Sequence, residues 1–413
     1  MAMTREQNEL LTQVEGDAPM GRMLSQHYWL PAIPSTKLRA DGRPFRIRLL
    51  GRNYAAFRAT DGTVGVVDEQ CPHRKASLLL ARNENNGLRC IYHGWKFNTR
   101  GEVVEAPNHA GDQVQFCAHV RVNRYSVRER AGIVWVWLGT QGTEPPFPEL
   151  PFNNLPPDHT AVTAQEVPTN WVQGVEATVD TTHVSFLHST TVLLTAGAKG
   201  NERVHMTQSR APRLEFESRP YGYRYAAIRP LPQGRHYVRI NNFVMPWYGV
   251  ICAPDKGANA LVFMSVPVDD THHRAWFVAF NPDSPLGVSP MTLISDRWNF
   301  PPLAPGTPKE NWGQDRDLMD QGHFSGFPQH LATEDFAMFL SQGPVHDRTD
   351  EQLCAADTAV VRMRQCLLKA VGEFLEGRTP QLADNPQLDY SKAISIGGVI
   401  DEPDAWRSLL PAD

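Results

Sequence analysis

Two short cysteine–histidine motifs most strongly restrict what the first third of this chain can form. Cys71 and His73 make a C-x-H motif, and Cys90 and His93 make a C-x-x-H motif after sixteen intervening residues. The Asn-Asn-Gly sequence at residues 85–87 predicts a hairpin turn that folds the two motifs together. Two thiolates and two imidazoles can hold either a [2Fe–2S] cluster, with both histidines on one iron, or a tetrahedral zinc ion. The spacing alone does not decide between the cluster and the zinc ion.

The residues around the motifs favour the iron–sulfur cluster. His93 is followed by Gly-Trp-Lys-Phe at residues 94–97, and each cysteine begins a loop that leaves a predicted strand rather than a finger helix. Here the sequence resembles the Rieske domain of the Rieske non-haem iron oxygenases, whose cluster loops read like CPHRKASL and CIYHGWKF. The resemblance implies a [2Fe–2S] Rieske cluster whose ligands are Cys71, His73, Cys90 and His93.

A second candidate metal site lies at Asp180, His183 and His188, in a D-x-x-H-x-x-x-x-H array. Residues five apart on a regular α-helix point about 140° away from each other, so these imidazoles can share a metal only where the helix bulges or breaks. We therefore predict an irregularity between His183 and His188. Asp180 can accept a hydrogen bond from the ring nitrogen of His183 that does not bind metal. Two histidines need a carboxylate to complete the facial triad of non-haem Fe(II) sites, which leaves positions open for O2.

The same segment resembles the catalytic motif of that family, N-W-x4-E-x3-D-x2-H-x4-H, over residues 170–188. The resemblance implies catalytic roles for Asn170, Glu176 and Asp180, and a mononuclear non-haem Fe(II) held by the two histidines. One position departs from the family pattern, because Ala177 follows the glutamate where many members have asparagine. The departure affects the surroundings of the metal and not its ligands.

Family members place the third iron ligand late in the chain. Residues 333–344, TEDFAMFLSQGP, look like that region in the phthalate dioxygenase branch. We expect Asp335 to be the ligand, with Glu334 as the alternative. Adjacent acidic residues point to different sides of a helix, so the sequence does not decide between them.

The sequence predicts two domains joined by a proline-rich linker. Short β patterns separated by Asp-Gly and Asn-Gly turns indicate an all-β Rieske domain at residues 21–145, after an N-terminal segment at 1–20. Residues 144–157 contain six prolines, which cannot continue a helix or a central strand, and we place the linker at 146–158. The mononuclear iron catalytic domain then occupies residues 159–413.

The catalytic domain mixes strands and helices. We predict strands at residues 223–229, 236–245 and 260–267, and a helix at 357–375 that ends at a glycine cap, Gly377. The expected fold class is therefore α+β: an N-terminal all-β domain and a C-terminal domain with a central antiparallel sheet flanked by helices.

Composition excludes several other classes of protein. Forty Lys and Arg against 45 Asp and Glu give a net charge of −5, so no basic field exists for nucleic acid. The first seventeen residues lack the basic start and apolar run of a signal peptide. The densest apolar run, residues 133–138, is far shorter than a membrane helix. We expect a cytoplasmic protein with no membrane contact.

The resemblance implies the terminal oxygenase of a multicomponent system. The chain has no G-x-G-x-x-G after a strand and no flavin signature, so electrons are expected from another protein. The resemblance implies that this protein is a flavin and ferredoxin-type reductase fed by NADH or NADPH. The family also implies a homo-oligomer, a trimer or a stacked hexamer. In it the cluster of one subunit serves the iron of its neighbour, with Asp180 bridging His183 and the partner's His93.

The resemblance to the phthalate dioxygenase branch implies that the substrate is an aromatic carboxylate, such as phthalate or a substituted benzoate, which is cis-dihydroxylated with O2 and two electrons. A guanidinium can bind a carboxylate bidentately, and Arg239 stands on a predicted strand face with Tyr237, Asn241 and Phe243. Arg203 and Thr181 are further candidates. Monooxygenation, O-demethylation or attack on a diaryl ether is the alternative outcome at the same metal centres. An electron-transfer protein with only a Rieske centre and a zinc-stabilised structural protein are the other classes.

Overall fold

The computed structural model describes residues 3–139, 142–196, 204–251, 259–287, 306–328, 331–380, 383 and 388–411. It divides into two compact units. The small unit comprises Glu15–Asp17 and Gly21–Pro146, and the large unit comprises Met1–Val14, Ala18–Met20 and Phe147–Asp413. The chain begins with two helices, α1 (Arg5–Thr12) and α2 (Pro19–His27).

The small unit is built from three antiparallel sheets. Its strands are β1 (Leu30–Pro34), β2 (Phe45–Leu49), β3 (Arg52–Arg58), β4 (Val64–Asp68), β5 (Arg82–Glu84), β6 (Gly87–Arg89), β7 (Lys96–Phe97), β8 (Val103–Glu105), β9 (Ser126–Arg130) and β10 (Ile133–Trp137). They pair in the orders β1-β10-β9, β2-β3-β4 and β5-β6-β7-β8, and α3 (Gln113–His119) contacts β8. Asn85 and Asn86 both have positive φ between β5 and β6, as the predicted hairpin turn requires. The core that contains Phe57, Leu88 and Phe97 also contains Cys71 and Cys90.

The large unit contains an eight-stranded antiparallel sheet. Its strands are β11 (Thr160–Val167), β12 (Arg213–Arg219), β13 (Gly222–Pro230), β14 (His236–Val244), β15 (Tyr248–Ile251), β16 (Ala260–Pro267), β17 (His273–Phe280) and β18 (Gly397–Ile400). The order is β11-β17-β16-β15-β14-β13-β12, and β18 pairs with β14. Besides α1, the described helices of this unit are α4 (Trp171–Val179), α5 (Ser189–Ala196), α6 (His205–Gln208), α7 (Arg316–Asp320), α8 (Leu331–Ser341) and α9 (Thr358–Leu375).

Both faces of the sheet are covered, which explains why β13 and β14 are buried along almost their whole length. On one face Tyr225 donates a hydrogen bond to the carbonyl of Val179 at the end of α4, at 2.6 Å. On the other face Trp406, from the 3₁₀ turn Pro403–Leu409, packs on Ile228 and Ile240. The sheet thus presents the odd-numbered residues of β13 and β14 to the segment that follows α4.

The predicted fold class is confirmed, and the three predicted strands and the long helix are found within two residues of the expected limits. Gly377 follows α9 with φ +74°, as a C-terminal cap requires. Across the described parts of the chain, every helix is too short or too polar to cross a membrane.

Candidate metal centres

The two loops that carry the cysteine–histidine motifs have the same backbone pattern. In each loop the cysteine N–H donates to the carbonyl five residues later at 2.8 Å, and the N–H four residues later donates to the cysteine carbonyl at 2.9 Å. That fourth residue has positive φ in both loops, Lys75 at +61° and Gly94 at +78°. Each loop therefore folds back on itself and turns the side chains of Cys71 and Cys90 inward, where they are 2% and 4% exposed.

The imidazoles of the motifs lie at the outer end of the same loops. The ring centroids of His73 and His93 are 4.5 Å apart, and the His73 ring stacks on Trp95 at 4.5 Å and 6°. Trp95 is held in turn by a 2.7 Å hydrogen bond to Asn108. This stacking fixes the first imidazole next to the second one.

This donor set fits a Rieske cluster. Cys71 and Cys90 are free thiols inside an apolar core, and burial together with the neighbouring Cys90 raises the pKa of Cys71 to about 11. A metal centre would stabilise the thiolates that the core alone disfavours. Two sulfur and two imidazole donors on hairpin loops are the ligand inventory of a Rieske centre.

The helix that carries the second motif is interrupted between its histidines. Helix α4 ends at Val179, Asp180 is its C-cap, and a 3₁₀ turn covers His183–Ser185. Phe186 leaves the helical region with φ −120° and ψ −73° before α5 begins at Ser189. The predicted irregularity is confirmed, and it removes the 140° divergence that a regular helix would impose.

Because of this break, His183, His188 and Asp335 converge. One ligand atom from each lies within 4.8 Å of the others. Asp335 Oδ1 lies 3.1 Å from His188 Nε2 and 3.7 Å from His183 Nε2. The two Nε2 atoms and one carboxylate oxygen thus surround one point, as a facial triad requires.

The other ring nitrogens face two further carboxylates. His188 Nδ1 is 2.7 Å from Glu334 Oε2, and His183 Nδ1 is 3.4 Å from Asp180 Oδ2. Burial lowers the pKa of His188, but the carboxylates of Asp335 and Glu334 outweigh it and raise the pKa to about 9. Three carboxylates around two imidazoles could hold a cation, and these donors suit non-haem Fe(II). Of these two adjacent acidic residues, Asp335 lies on the Nε2 side of both histidines, whereas Glu334 lies on the Nδ1 side of His188.

The Asp180 carboxylate is held by Thr182 at one oxygen and lies beside His183 with the other. Its Oδ1 accepts hydrogen bonds from the backbone N–H and the hydroxyl of Thr182, at 2.7 and 2.6 Å. Burial raises the pKa of Asp180, but His183 and Thr182 outweigh it and lower the pKa to about 2. The side chain remains 22% exposed, so this carboxylate is both ionised and accessible.

Asn170 and Glu176 both hold α4 in place. Asn170 caps α4 by accepting from the N–H of Val172 at 3.1 Å, and its amide donates to the carbonyls of Thr12 and Asp270. Glu176 is bound by Arg348 and Arg364. These contacts engage both side chains in holding α4, and their catalytic roles stay a prediction.

Arg239 and Thr181 are brought together beside Asp180. Arg239 Nη1 donates to the Thr181 hydroxyl at 3.1 Å, and the two residues are 6% and 3% exposed. Arg203 lies outside the described residues. Arg229, which the sequence did not single out, is fully buried and donates to the Thr181 carbonyl at 3.1 Å. Strand parity could have identified it, because Arg229 pairs with Tyr237 on the same face as Arg239.

Gln173 is a second residue that sequence reasoning missed. Its amide donates to the carbonyls of Phe339 and Gly343, both at 3.1 Å, and accepts from the N–H of His346 at 3.2 Å. The amide thereby joins α4, which leads to the histidines, to the end of α8, which carries Asp335. No residue pattern in the sequence indicates this contact.

Comparison with known families gives the class of the protein. Residues 28–125 match the Rieske [2Fe-2S] domain, and residues 136–412 match the LigXa C-terminal domain-like family. The chain belongs to the Rieske non-haem iron oxygenases. The prediction of an oxygenase component with a Rieske cluster and a mononuclear iron is confirmed, and such components work in multicomponent systems with a reductase.

Particular relatives are similar over nearly the whole chain. The phthalate 4,5-dioxygenase oxygenase subunit of Pseudomonas putida is 36% identical over 98% of this chain and 94% of its own. The 3-chlorobenzoate-3,4-dioxygenase oxygenase subunit of Comamonas testosteroni is 37% identical over 90% of this chain and 89% of its own. The terminal oxygenase of carbazole 1,9a-dioxygenase from Novosphingobium sp. KA1 shares the fold, with a TM-score of 0.57, 19% identity and coverage of 85% and 95%.

Proposed function

We propose that this oxygenase cis-dihydroxylates the ring of an aromatic carboxylate, and that Arg239 binds the carboxylate. The relatives that are 36–37% identical are named for phthalate and 3-chlorobenzoate, which are both aromatic carboxylates. The observation that carries the proposal is the buried Arg239 guanidinium beside Thr181, which directly follows Asp180. A desolvated guanidinium binds a carboxylate bidentately and so orients the attached ring.

We assign the metal ligands as the motifs suggest. Cys71, His73, Cys90 and His93 would hold the Rieske cluster, and His183, His188 and Asp335 would hold the mononuclear iron. When bound, the cluster supplies single electrons and the iron activates O2. The protein's part is to orient His183 through Asp180 and to hold the substrate carboxylate at Arg239.

We base the proposed organisation of the enzyme on the same family. We propose a Rieske domain at residues 21–145, a linker at 146–158 and a catalytic domain from 159, in a cytoplasmic trimer or stacked hexamer. Asp180 would bridge His183 and His93 of the partner subunit. Its exposed, ionised carboxylate supports this role. Electrons would come from a flavin-containing reductase that uses NADH or NADPH.

The test is turnover of purified protein with such a reductase, NADH and ¹⁸O2. Phthalate, 3-chlorobenzoate and benzoate are compared with their carboxamides, which keep the ring and lose the charge. We expect two labelled oxygen atoms in a cis-diol product from at least one acid and none from its amide. One labelled atom per product would show monooxygenation instead.

Arg239→Ala tests the carboxylate contact, with Arg274→Ala as the matched control. Arg274 lies on the same sheet and pairs with Glu166, whose side chain is 48% exposed. We expect Arg239→Ala to raise the KM for the acid with iron content unchanged, and Arg274→Ala to leave the KM unchanged. Equal KM values for both variants would remove Arg239 from the substrate site.

A further inference from the structure

Glu334 is a fully buried carboxylate, at 0% exposure, whose described partners include no Lys or Arg. Its Oε2 faces His188 Nδ1 at 2.7 Å and accepts a hydrogen bond from the Thr191 hydroxyl at 3.3 Å. Its Oε1 accepts a short hydrogen bond from the Ser325 hydroxyl. Burying a carboxylate costs free energy of folding unless the groups around it pair with its charge and donate hydrogen bonds to it.

We infer that Glu334 is a positioning residue for the mononuclear metal, and that Ser325 and Thr191 set its orientation. The inference rests on the proposed ligand role of His188 and Asp335. A carboxylate that accepts the Nδ1 proton of an imidazole fixes the ring orientation and makes Nε2 the basic, metal-binding nitrogen. In His188 this Nε2 is the atom that lies 3.1 Å from Asp335.

The backbone that carries Ser325 is held in place by several contacts. The Ser325 carbonyl accepts from the Gln314 amide at 2.8 Å, and the Gly326 carbonyl accepts from the N–H of Asp315 at 2.9 Å. Gly326 has φ +75°, and a Cβ there would lie 2.7 Å from the Asp315 carbonyl oxygen. On the other side, the N–H of Phe324 donates to the Thr190 hydroxyl at 2.9 Å. The turn at residues 323–326 is thus tied to the start of α5, directly after His188.

The two carboxylates behind the imidazoles differ in accessibility. Asp180, behind His183, is 22% exposed, whereas Glu334, behind His188, is sealed. An accessible carboxylate can contact another group, but a sealed one acts only on the imidazole it touches. We therefore expect Glu334 to control how tightly the metal is held and Asp180 to control turnover.

The test measures Co²⁺ affinity of the full-length protein after chelation of its mononuclear metal, by calorimetry without substrate or reductase. The Rieske absorbance of the same samples reports that the cluster is intact. We expect Glu334→Gln, which keeps the shape and loses the charge, to weaken Co²⁺ binding about 10- to 100-fold. Asp335→Asn removes a proposed ligand and should weaken binding more than Glu334→Gln does.

Ser325 variants separate positioning from general destabilisation. Ser325→Ala should weaken Co²⁺ binding less than Glu334→Gln, and Ser325→Thr, which keeps a hydroxyl, should restore affinity. The melting temperature of the metal-free protein should be the same for both Ser325 variants. Wild-type Co²⁺ affinity in Glu334→Gln, or equal loss in Ser325→Ala and Ser325→Thr, would overturn the inference.

The Asp335→Asn variant distinguishes a failure of this inference from a failure of the proposed function. If Asp335→Asn binds Co²⁺ like the wild type while Glu334→Gln does not bind it, Glu334 is a ligand and the inference is wrong. Failure of every aromatic acid as a substrate would leave the Co²⁺ affinities unchanged, because they are measured without substrate.

Discussion

Replacing Glu176 by glutamine should destabilise the large unit strongly. Arg348 binds the Glu176 carboxylate bidentately, at 2.6 and 2.8 Å, and Arg364 binds it at 2.7 Å. The three side chains are 12%, 0% and 6% exposed in the order Glu176, Arg348, Arg364. After the substitution Arg364 keeps its pair with Glu351, but the acceptors that the structure shows for Arg348 are then neutral.

The size of the effect follows from that uncompensated charge. Breaking a buried ion pair costs about 3–5 kcal/mol. At about 2 °C per kcal/mol for a unit of this size, Glu176→Gln should lower the melting temperature by about 6–10 °C. The control is Glu166→Gln, because Glu166 is 48% exposed and pairs with Arg274 at 2.7 Å. A surface pair contributes at most about 1 kcal/mol, so the control should shift the melting temperature by about 2 °C or less.

Differential scanning calorimetry of the holoenzyme, combined with iron analysis, checks this expectation. Burial raises the pKa of Glu176, but Arg348 and Arg364 outweigh it and hold the pKa below its ordinary value of 4.5. Because folding lowers this pKa, the wild-type advantage should be complete above about pH 4.5 and should decline as the pH falls through the folded-state pKa. If Glu176→Gln melts like the control but loses turnover, Glu176 is catalytic and the structural reasoning is refuted.

Three further results are expected. Asp180→Asn should keep both metal centres by iron analysis and lower NADH-coupled O2 uptake about 10- to 100-fold, whereas full coupled turnover would contradict the bridging role. Gly94→Ala should speed thermal bleaching of the cluster absorbance, because its Cβ would lie 2.8 Å from Pro107 at φ +78°; Lys75→Gly at the equivalent position should not. Intact protein should contain about three irons and two acid-labile sulfides per chain, and mild chelation should remove about one iron with the sulfide unchanged.

The sequence predicted those parts of the site that depend on local spacing. The cysteine–histidine motifs and the hairpin turn between them are local. The break between His183 and His188 is local too, and it follows from helix periodicity once both histidines are assigned to one metal. The three strands were predictable because each contains several aromatic or β-branched residues. These features require no knowledge of which distant segments meet.

The missed features depend on contacts between distant residues. Glu176 meets Arg348 172 residues later, so its motif position gives no indication of the ion pair that the structure shows. Glu334 and Asp335 are neighbours in the chain, and only the packing of α8 against His188 distinguishes them. In the sequence, a buried arginine such as Arg229 resembles a solvated strand residue. Strand parity gives the face of the sheet on which it lies, and the structure shows that helices cover that face.

The residues that surround the proposed mononuclear site come from two stretches of chain, and Glu334, next to Asp335, follows His188 by 146 positions. A metal held by both stretches is a reversible cross-link that closes a long loop, much as a disulfide does. Its binding energy is then available to the native state and lost on unfolding. Iron occupancy should therefore govern how often α8 separates from α5. In metal-free protein the backbone amide hydrogens of α8 should exchange with solvent faster, while those of β13 and β14 stay protected.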